Sequence, residues 1–486
     1  MANFVLVVDP DSERREAFFR KAVMQIEPVP GLTCGAVSSG NFKAIWAAGE
    51  RAPLASLSDD QGAALLIGDA IVDDGSRVDA LRLRLLWNDL DSQSAPFDGY
   101  HAAVVYDARQ GLLAGADLIG MFPFYWWAAN GVLLAGSSPE LFRLHAAFTR
   151  RVDREGLVAI LMTMHSVAGR TLFDGVHRLK AGHMLRFSPD VAAEEREQYR
   201  LPVSDRYQDL PFTAQVELLH ESLMDSTRRH VSLDESCALS LSGGRDSRLL
   251  AGLLSRRGDN VCAVTFGKSD DVEMNCAMAV ARTSGFGQQL LPLEMDENGE
   301  CGMRHARWLH CTTGFNSIFH WGSASRLREA PARLVTGYGM DATVGGSHLT
   351  WAYDKSSRSM SFDNFFASIN AYGFAESVLC RLIRGNDAAD LVEHGKATIR
   401  HIYESYSDVE SQRAWCFDLH HRQRFHIGNS PWLLSYGSWP VQPATDRGVL
   451  EVAGGLPMST VAERRAQDEM IRRFYPRLAQ LPLDRN

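Results

Sequence analysis

The stretch Ser240–Arg248 carries the most distinctive chemistry of this chain and reads Ser-Leu-Ser-Gly-Gly-Arg-Asp-Ser-Arg. An apolar run precedes it and a leucine-rich helical pattern follows, so the spacing predicts a strand, a tight turn and a helix start. Gly243 and Gly244 allow a ligand to approach the backbone, and the helix directs free amide groups and its positive dipole end to the same point. Ser242 and Ser247 add hydroxyl groups. The stretch predicts a seat for phosphate groups, the alternative being an ordinary turn of small residues.

Asp246, in the same stretch, is suited to a metal ion, because carboxylate oxygen is the ligand that Mg²⁺ prefers. No Gly-Lys-Ser/Thr follows as it would in a Walker loop. The stretch resembles the Ser-Gly-Gly-x-Asp-Ser pyrophosphate loop of the ATP pyrophosphatases. That resemblance implies an enzyme that cleaves ATP between the α and β phosphates and forms an acyl-adenylate. On it we expect ATP to contact Leu241, Ser242, Gly243, Gly244, Asp246 and Ser247, with Val264, Thr265 and Phe266 of the next strand.

A second glycine-rich loop, beginning at Gly337, reads Gly-Tyr-Gly-Met-Asp and follows another short apolar run. An aspartate in such a turn can simply cap it. The loop, however, resembles the Gly-x-Gly-x-Asp-Glu loop of the asparagine synthetases, which lies beside the pyrophosphate seat. The resemblance implies that Asp341 holds Mg²⁺ together with Asp246, and that Gly337 and Gly339 lie against the nucleotide.

Two kinds of strand pattern must position these loops. Short strand candidates separated by Gly, Asp or Asn turns fill the first two hundred residues and predict stacked antiparallel sheets. Beyond Leu201–Asp205, strands alternate with helices, which predicts a parallel sheet with ligands at the carboxyl ends of its strands. We therefore predict an α/β protein with one domain over 1–205 and a second over 206–486.

The first domain carries a resemblance of its own. Phe97–Asp107 and Gly115–Tyr125 are similar to the signature of the glutaminase domain in asparagine synthetases, and Gly136–Glu140 and Thr171–Val176 continue the likeness in the same order. The resemblance implies an N-terminal-nucleophile hydrolase fold of stacked antiparallel sheets for 1–205. It implies an ATP pyrophosphatase fold for 206–486.

The nucleophile of that glutaminase is a cysteine exposed as the first residue after removal of Met, with its own amine as the base. This sequence has Ala2 at the position, and the nearest cysteine, Cys34, is internal. We expect the domain to keep its fold and to have lost glutamine hydrolysis.

Tyr338 and Ala342 replace acidic residues of the asparagine synthetase loop. The Gly-Tyr-Gly form resembles β-lactam and carbapenam synthetases, in which the Tyr belongs to a dyad that helps to deprotonate an amine of the substrate. Such a Tyr needs a partner that adjusts its proton affinity; otherwise it simply lines the pocket. The position of the partner carboxylate matches Asn429, which is not a base. The nearest titratable candidates are Glu376, His420, His421 and His426, and we select Tyr338, Glu376 and His426 as catalytic candidates.

The cationic side chain that would stabilise amide formation has no obvious position in this sequence. The family carries a Lys soon after a Leu-Pro pair near the C-terminus, where this sequence has only Arg485; Lys268 is an alternative, although it also reads as a surface residue. Arg422 and Arg424 are suited to a carboxylate or a phosphate. We expect Gly314–Trp321 to form a wall of the acceptor pocket.

Composition restricts the remaining possibilities. The 486 residues carry a formal net charge of -9, which argues against a nucleic-acid partner. No apolar run approaches the roughly 20 residues of a membrane span, and the N-terminus lacks the pattern of a signal peptide, so we expect a cytoplasmic protein. The eight cysteines are scattered without a C-x-x-C pair and indicate neither disulfides nor a zinc site.

These observations favour an ATP- and Mg²⁺-dependent ligase that adenylates a carboxylate and closes a lactam with an amine of the same substrate. A small amino-acid-derived substrate and a lasso-type peptide both fit this reaction. We expect the enzyme to act in specialised metabolism, where proteins of a biosynthetic cluster are candidate partners. A homodimer is also compatible with the sequence. Two alternatives are an asparagine synthetase-like enzyme that uses free ammonia and a catalytically silent protein that binds nucleotide.

Overall fold

The computed structural model of the protein describes residues 2–87, 97–188, 190–268, 270–293, 298–310, 317–349 and 360–484. Two six-stranded antiparallel sheets precede a five-stranded parallel sheet, which confirms the predicted fold class. The antiparallel strands are β1 (Ala2–Val8), β2 (Thr33–Ser39), β3 (Phe42–Ala48), β4 (Leu54–Ser58), β5 (Gly62–Gly68), β6 (His101–Asp107), β7 (Gly111–Ala116), β8 (Tyr125–Ala129), β9 (Val132–Gly136), β10 (His177–Arg178), β11 (His183–Ser188) and β12 (Val191–Glu197). The domain boundary at 205 and 206 stays a prediction.

The two antiparallel sheets stack face to face. One has the order β10-β8-β9-β1-β3-β2, and the other has the order β12-β11-β7-β6-β5-β4. Phe42 of β3 and Tyr106 of β6 stack across the layers with ring centroids 5.2 Å apart. Central strands such as β5 are buried along their whole length, whereas the glutamate-rich edge strand β12 is largely exposed. Apolar runs thus occupy the middle of the stack and charged residues its rim.

The parallel sheet has the order β15-β14-β13-β16-β17. Its strands are β13 (Cys237–Ser240), β14 (Val261–Phe266), β15 (Gly287–Leu291), β16 (Arg333–Val335) and β17 (Trp439–Val441). After β13 the chain adds β14 and β15 on one side, and it then returns to place β16 on the other side of β13. The loops after β13 and β16 therefore flank a reversal of strand order, which is where open α/β sheets bind ligands.

Helices surround these sheets. They are α1 (Ser12–Val23), α2 (Ala80–Leu86), α3 (Arg154–Thr163), α4 (Phe212–His230), α5 (Arg245–Leu254), α6 (Val272–Ser284), α7 (Asn298–Leu309), α8 (His320–Arg326), α9 (Phe362–Asn370), α10 (Glu376–Leu382), α11 (Ala388–Ser405), α12 (Glu410–His420), α13 (Asn429–Leu434), α14 (Arg447–Gly454), α15 (Met458–Val461), α16 (Arg465–Phe474) and α17 (Pro476–Ala479). In the described part of the chain, none of them combines the length and the apolar character needed to cross a bilayer.

Two buried arginines join the antiparallel sheets to the helices beyond α12. Arg178 donates to the carbonyl oxygens of Gly120, at 2.9 Å, and of Arg424, at 3.1 Å. Arg424 donates back to the carbonyls of Gly120 and Leu179. Burial lowers the pKa of Arg424 to about 9. Its guanidinium is therefore committed to backbone carbonyls and not to the carboxylate or phosphate that we expected from the sequence.

Trp439 of β17 forms a second contact between the two halves. It is almost completely buried, its ring lies 5.7 Å from Tyr100 and 6.4 Å from Phe122, and its Nε1 donates to the carbonyl of Tyr100 at 3.3 Å. Large aromatic side chains contribute most to such cores.

We predict that Trp439→Ala lowers the free energy of unfolding by about 3–5 kcal/mol, because it leaves a cavity between the sheets. The measurement is urea denaturation followed by far-UV circular dichroism. The control is Leu81→Ala at an exposed position of α2, which should change that free energy by under about 0.5 kcal/mol. Equal effects of the two substitutions would contradict a packing role for Trp439.

Candidate active site

The predicted phosphate loop joins β13 to α5. Ser242 Oγ and Ser247 Oγ lie 2.9 Å apart, the Gly244 N–H donates to Ser242 Oγ at 3.1 Å, and Ser247 Oγ donates to the Ser242 carbonyl at 3.1 Å. These hydroxyls thus hold the shape of the loop. Gly244 is the N-cap and has no side chain, so within the described part of the chain no N-cap side chain bonds to the first amides of α5. Those amides are available to an anion.

Gly243 is required by close packing on the other side of the loop. A Cβ atom there would lie 2.7 Å from Cys276 Cβ and 2.8 Å from Asp484 Cβ. Arg248 holds the C-terminal segment in this position, since its guanidinium donates to the carbonyls of Leu481 at 2.8 Å and Gly243 at 3.3 Å. A buried arginine therefore joins the loop to the C-terminal segment.

Asp246 and Asp341 converge beside this loop. Asp246 lies in the first turn of α5, and Asp341 begins the π-helical turn Asp341–Gly345 after β16. Burial and, next, the negative charge of Asp341 raise the pKa of Asp246 to about 6. Gly337 permits this approach, because a Cβ atom there would lie 3.0 Å from Asp246 Cβ. Two carboxylates that repel each other provide a site for a cation.

Gln467 on α16 supplies a further oxygen between them. Its Nε2 donates to Asp246 Oδ1 at 2.5 Å, while its buried Oε1 accepts no hydrogen bond from the described residues. Asp341 accepts from Ser347 Oγ at 2.5 Å and lies 3.6 Å from Arg464. Two carboxylates and an amide oxygen are ligands that suit Mg²⁺. The described residues hold no group of three His, Cys, Asp or Glu at metal-binding distance, so phosphate oxygens would complete the shell.

Tyr338 lies in the same loop as Asp341 and is paired with a histidine. Its hydroxyl lies 3.2 Å from His320 Nε2, and Ser430 also hydrogen-bonds to it. Burial raises the pKa of Tyr338 to about 12 and lowers the pKa of His320 to about 3. The pair is neutral at pH 7.

A cavity of about 530 Å³ opens beside Asp341. Residues 163–165, after α3, form one wall of it, and α9 and α12 contribute Phe365, Phe417 and Asp418. Arg422 and His426 line it as well. Burial and nearby Arg422 lower the pKa of His426 to about 4, so this side chain is neutral at pH 7. The cavity thus has Asp341 at one side and partly apolar walls elsewhere.

Comparison with known protein families gives two matches. A sequence model of the family described as asparagine synthase matches residues 218–468, just over half of the chain, and one described as a glutamine amidotransferase domain matches residues 87–200. The chain belongs to the asparagine synthase family. Members of this family are ATP-dependent ligases, which supports ATP binding by this chain.

Individual relatives share a limited part of the chain. "Asparagine synthetase [glutamine-hydrolyzing] 3" of Bacillus subtilis is 28% identical over 158 residues, 32% of this chain and 25% of the relative. "Amidase chyE" of Penicillium rubens is 29% identical and "Amidase chry2" of Gibberella zeae 30% identical, each over 161 residues, 32% of this chain and 23% of the relative. The aligned part spans about a quarter of these relatives.

Solved structures have a lower sequence identity to this chain, although they cover more of it. An allosteric regulatory enzyme of purine biosynthesis is 8% identical with a TM-score of 0.27, covering 60% of this chain and 80% of that one. An NH3-dependent NAD synthetase from Campylobacter jejuni is 14% identical with a TM-score of 0.21, covering 40% of this chain and 94% of that one. TM-scores this low establish neither fold nor function.

The other residues predicted for the nucleotide lie on the neighbouring strand of this asparagine synthase-family domain. Leu241 N donates to the Val264 carbonyl at 2.8 Å, so the loop extends the pairing of β13 with β14. Thr265 is buried with its hydroxyl unpaired among the described residues, and Phe266 contacts His320 edge to face at 5.5 Å. Contact of these residues with ATP stays a prediction.

The predicted partners of Tyr338 are found elsewhere. Glu376 forms an ion pair of 2.7 Å with Lys396 at the surface and does not line the cavity, whereas His426 does. His420 bonds to the Tyr406 hydroxyl at 3.0 Å. The partner that the structure shows, His320, lies within the stretch predicted as the acceptor wall, but its pairing with Tyr338 had no signal in the sequence.

Of the remaining candidates, Lys268 is at the surface, where its backbone N–H donates to Asp271 at 2.9 Å. Arg485 and residues 314–316 lie outside the described residues. Asn429 donates to the Phe425 carbonyl at 2.7 Å. Sequence reasoning missed Gln467, because a single glutamine on a helix belongs to no metal motif.

We predict that Asp246→Asn and Asp341→Asn each weaken the binding of Mn²⁺, used in place of Mg²⁺, by at least about tenfold when ATP is present, because each removes one of the two anionic ligands. Electron paramagnetic resonance of free Mn²⁺ measures the affinity. The control is Asp468→Asn, which breaks the surface pair with Arg245. Parental affinity in either site variant would contradict the metal assignment.

We further predict that Mn²⁺ affinity depends on pH. Because the pKa of Asp246 is raised to about 6, the metal must displace a proton below that pH. Affinity should fall by up to about tenfold per pH unit below pH 6 and level off above about pH 7. The same resonance titration at several pH values measures it, and a constant affinity between about pH 5 and 7 would contradict the raised pKa of Asp246.

Proposed function

We propose that this chain is an ATP-dependent amide ligase that forms AMP and pyrophosphate: it adenylates a carboxylate and closes a lactam with an amine of the same substrate. The observation that carries the proposal is the convergence of Asp246 and Asp341 at an uncapped helix start, beside a cavity large enough for an organic substrate. Mg²⁺ would neutralise the phosphates and stabilise pyrophosphate as it leaves.

Different residues of the chain would act in the two steps of the reaction. The free amides of α5 bind phosphate oxygens while a substrate carboxylate oxygen attacks the α phosphorus, and the bond to the bridging oxygen of pyrophosphate breaks. The amine nitrogen then attacks the acyl carbon, the bond to AMP breaks, and the nitrogen gives one proton to the departing AMP. In this proposal Asp246, Asp341 and Gln467 would serve the first step, and Tyr338 would serve the second.

The source of the nitrogen is inferred from the first domain. Cys34 is the only cysteine of residues 1–205. Burial and then the negative charge of Glu27 raise the pKa of its thiol, the opposite of what activates a nucleophile. An amine already present in the substrate would therefore replace the ammonia of a glutaminase reaction.

Tyr338 orients that amine in our proposal. Proton transfer from the hydroxyl to His320 is unfavourable, since burial stabilises the neutral forms of both groups. The hydroxyl can nevertheless donate to His320 Nε2 while its oxygen lone pairs accept a hydrogen bond from the amine. The dyad would then align the nucleophile with the acyl carbon.

We predict that Tyr338→Phe lowers amide formation by about 100-fold or more while ATP–pyrophosphate exchange stays within about threefold of the parent, because only the second step uses the hydroxyl. Radiolabelled pyrophosphate exchange and mass spectrometry of the product measure the two steps. Tyr406→Phe is the matched control, since it also removes a buried Tyr–His hydrogen bond. Equal loss of both steps in Tyr338→Phe would contradict this assignment.

The proposal as a whole is tested by the products of ATP. Incubation with Mg²⁺ and candidate amino carboxylates should yield AMP, pyrophosphate and a lactam. Release of phosphate alone by an active preparation would overturn the adenylation mechanism. Formation of asparagine from aspartate and ammonium would favour the asparagine synthetase-like alternative, which the Bacillus subtilis relative supports.

A further inference from the structure

We infer that Arg464 is a phosphate-binding residue of this site: its guanidinium competes with the metal for Asp341 and binds the pyrophosphate part of the nucleotide that the metal accompanies. The inference rests on the proposed function, because it takes ATP and Mg²⁺ to meet at Asp246 and Asp341. It adds a residue to the site, and it predicts that the metal and the arginine oppose each other until phosphate binds.

Arg464 lies beside both carboxylates. Its Nη2 is 3.6 Å from Asp341 Oδ1, which is longer than a hydrogen bond, so charge and not a directional bond holds the pair. Burial and, next, the charge of Asp341 raise the pKa of Asp246. The hydrogen bond from Gln467 and then the charge of Arg464 act in the opposite direction, so Arg464 is near this carboxylate too. The arginine side chain is 30% exposed, so a ligand can reach it.

Two other arginines at the phosphate loop are committed to partners within the chain. Arg245 Nε donates to Asp468 Oδ1 at 2.6 Å, and Arg248 donates to the backbone carbonyl of Leu481 at 2.8 Å. The side chain of Arg464 makes no such hydrogen bond to the residues that the structure describes. Its N–H groups can therefore turn to a phosphate without breaking one.

A strained turn fixes Arg464 in this place. Glu463 and Arg464 are consecutive residues in the left-handed region, with φ of 60° and 62°, a conformation that costs non-glycine residues free energy. The segment before them packs against the loop that carries Asp341, because a Cβ atom on Gly346 would lie 2.9 Å from the Val461 carbonyl oxygen. The position of the turn is therefore tied to the loop of Asp341.

The charges of the site give the arginine a reason to change partners. Taken alone, the two carboxylates and the guanidinium leave a net negative charge, which holds Arg464 beside Asp341. A divalent cation on the same carboxylates removes that attraction, since the two cations then compete for one oxygen. Phosphate attracts the arginine instead, because a guanidinium can bind two phosphate oxygens in a planar, charge-assisted geometry.

Arg464 would act on the first step of the proposed reaction. Negative charge builds up on pyrophosphate as its bond to the α phosphorus breaks, and a guanidinium close to the metal ligands stabilises that charge. AMP keeps only the α phosphate and would not contact Arg464. The residue should therefore distinguish ligands that contain pyrophosphate from AMP.

The first test compares the full chain with Arg464→Met, which removes the charge at similar length. Electron paramagnetic resonance gives the affinity for Mn²⁺ alone, and isothermal titration calorimetry gives the affinities for AMP and, with Mg²⁺, for pyrophosphate. We expect Arg464→Met to bind Mn²⁺ about threefold or more tightly than the parent, because a competing cation is gone. Its affinity for pyrophosphate should fall at least about tenfold, and its affinity for AMP should stay within about threefold.

Two variants separate the charge from the structure. Arg464→Lys keeps the charge and should lose at most about threefold in pyrophosphate affinity. Arg465→Met alters the next residue, which is exposed and donates to the Ser459 carbonyl at 2.7 Å, and should leave all three affinities within about twofold. Parental pyrophosphate affinity in Arg464→Met would overturn the inference. Loss of affinity for Mn²⁺, AMP and pyrophosphate together would indicate a structural role and overturn it as well.

A measurement on the parent keeps the inference testable if Arg464→Met fails to fold. Phenylglyoxal modifies accessible arginines, and mass spectrometry of the digested chain gives the rate at Arg464. Relative to the protein without additions, we expect Mg²⁺ alone to raise that rate about twofold and Mg²⁺ with pyrophosphate to lower it about fivefold or more. Equal rates under the three conditions would overturn the inference.

These outcomes are separate from failure of the proposed function, since none of the measurements requires turnover. The expected pattern without AMP formation from any amino carboxylate would contradict the ligase and retain Arg464 as a phosphate-binding residue. Formation of AMP and a lactam by Arg464→Met at the parental rate, with parental pyrophosphate affinity, would contradict the role of Arg464 and retain the ligase.

Discussion

The repulsion between Asp246 and Asp341 is the constraint on which the rest of this site depends. Two carboxylates are brought together where the order of the parallel strands reverses, and burial, followed by the negative charge of Asp341, raises the pKa of Asp246 to about 6. The surrounding structure tolerates this cost because Gly337 carries no side chain between the loops and Gln467 donates to Asp246. Two neighbouring carboxylates attract a divalent cation, and a bound divalent cation can in turn bind a polyphosphate.

Two buried arginines help to determine how the antiparallel sheets pack against the rest of the chain. Arg178 and Arg424 are both held by backbone carbonyls, so neither guanidinium is left without partners at the interface. A buried arginine that lost these carbonyls would be costly, which favours a single docking of the antiparallel sheets against α12 and the turn that follows it. Residues 163–165 form one wall of the cavity beside Asp341 and α12 contributes another, so this docking brings the walls of the cavity together.

Features that depend on neighbours in sequence were predictable. The strand, glycine turn and helix around Asp246 form as the local pattern indicates, and alternation of strands with helices predicts the parallel sheet. Contacts between distant segments were not predictable, because they depend on how the elements pack. Gln467 reaches Asp246 across 221 positions, and Arg424 is committed to the first domain by its fold rather than by any local pattern. Glu376 lies near the other candidates in sequence, yet its charge is balanced by Lys396 one helix further along.

The pairing of Tyr338 with His320 rather than with a carboxylate has a chemical consequence for the second step. A carboxylate partner would draw the phenol proton and make the oxygen a base, whereas a buried imidazole that stays neutral offers Nε2 as a hydrogen-bond acceptor without taking the proton. The amine would then have to be neutral before it attacks, and it would lose one proton to the departing AMP after the new bond has formed. A site of low polarity around the amine favours its neutral form, since desolvation disfavours an ammonium group. The pair of Tyr338 and His320 would thus orient the nucleophile, while burial of both groups would keep the pair from acting as a base.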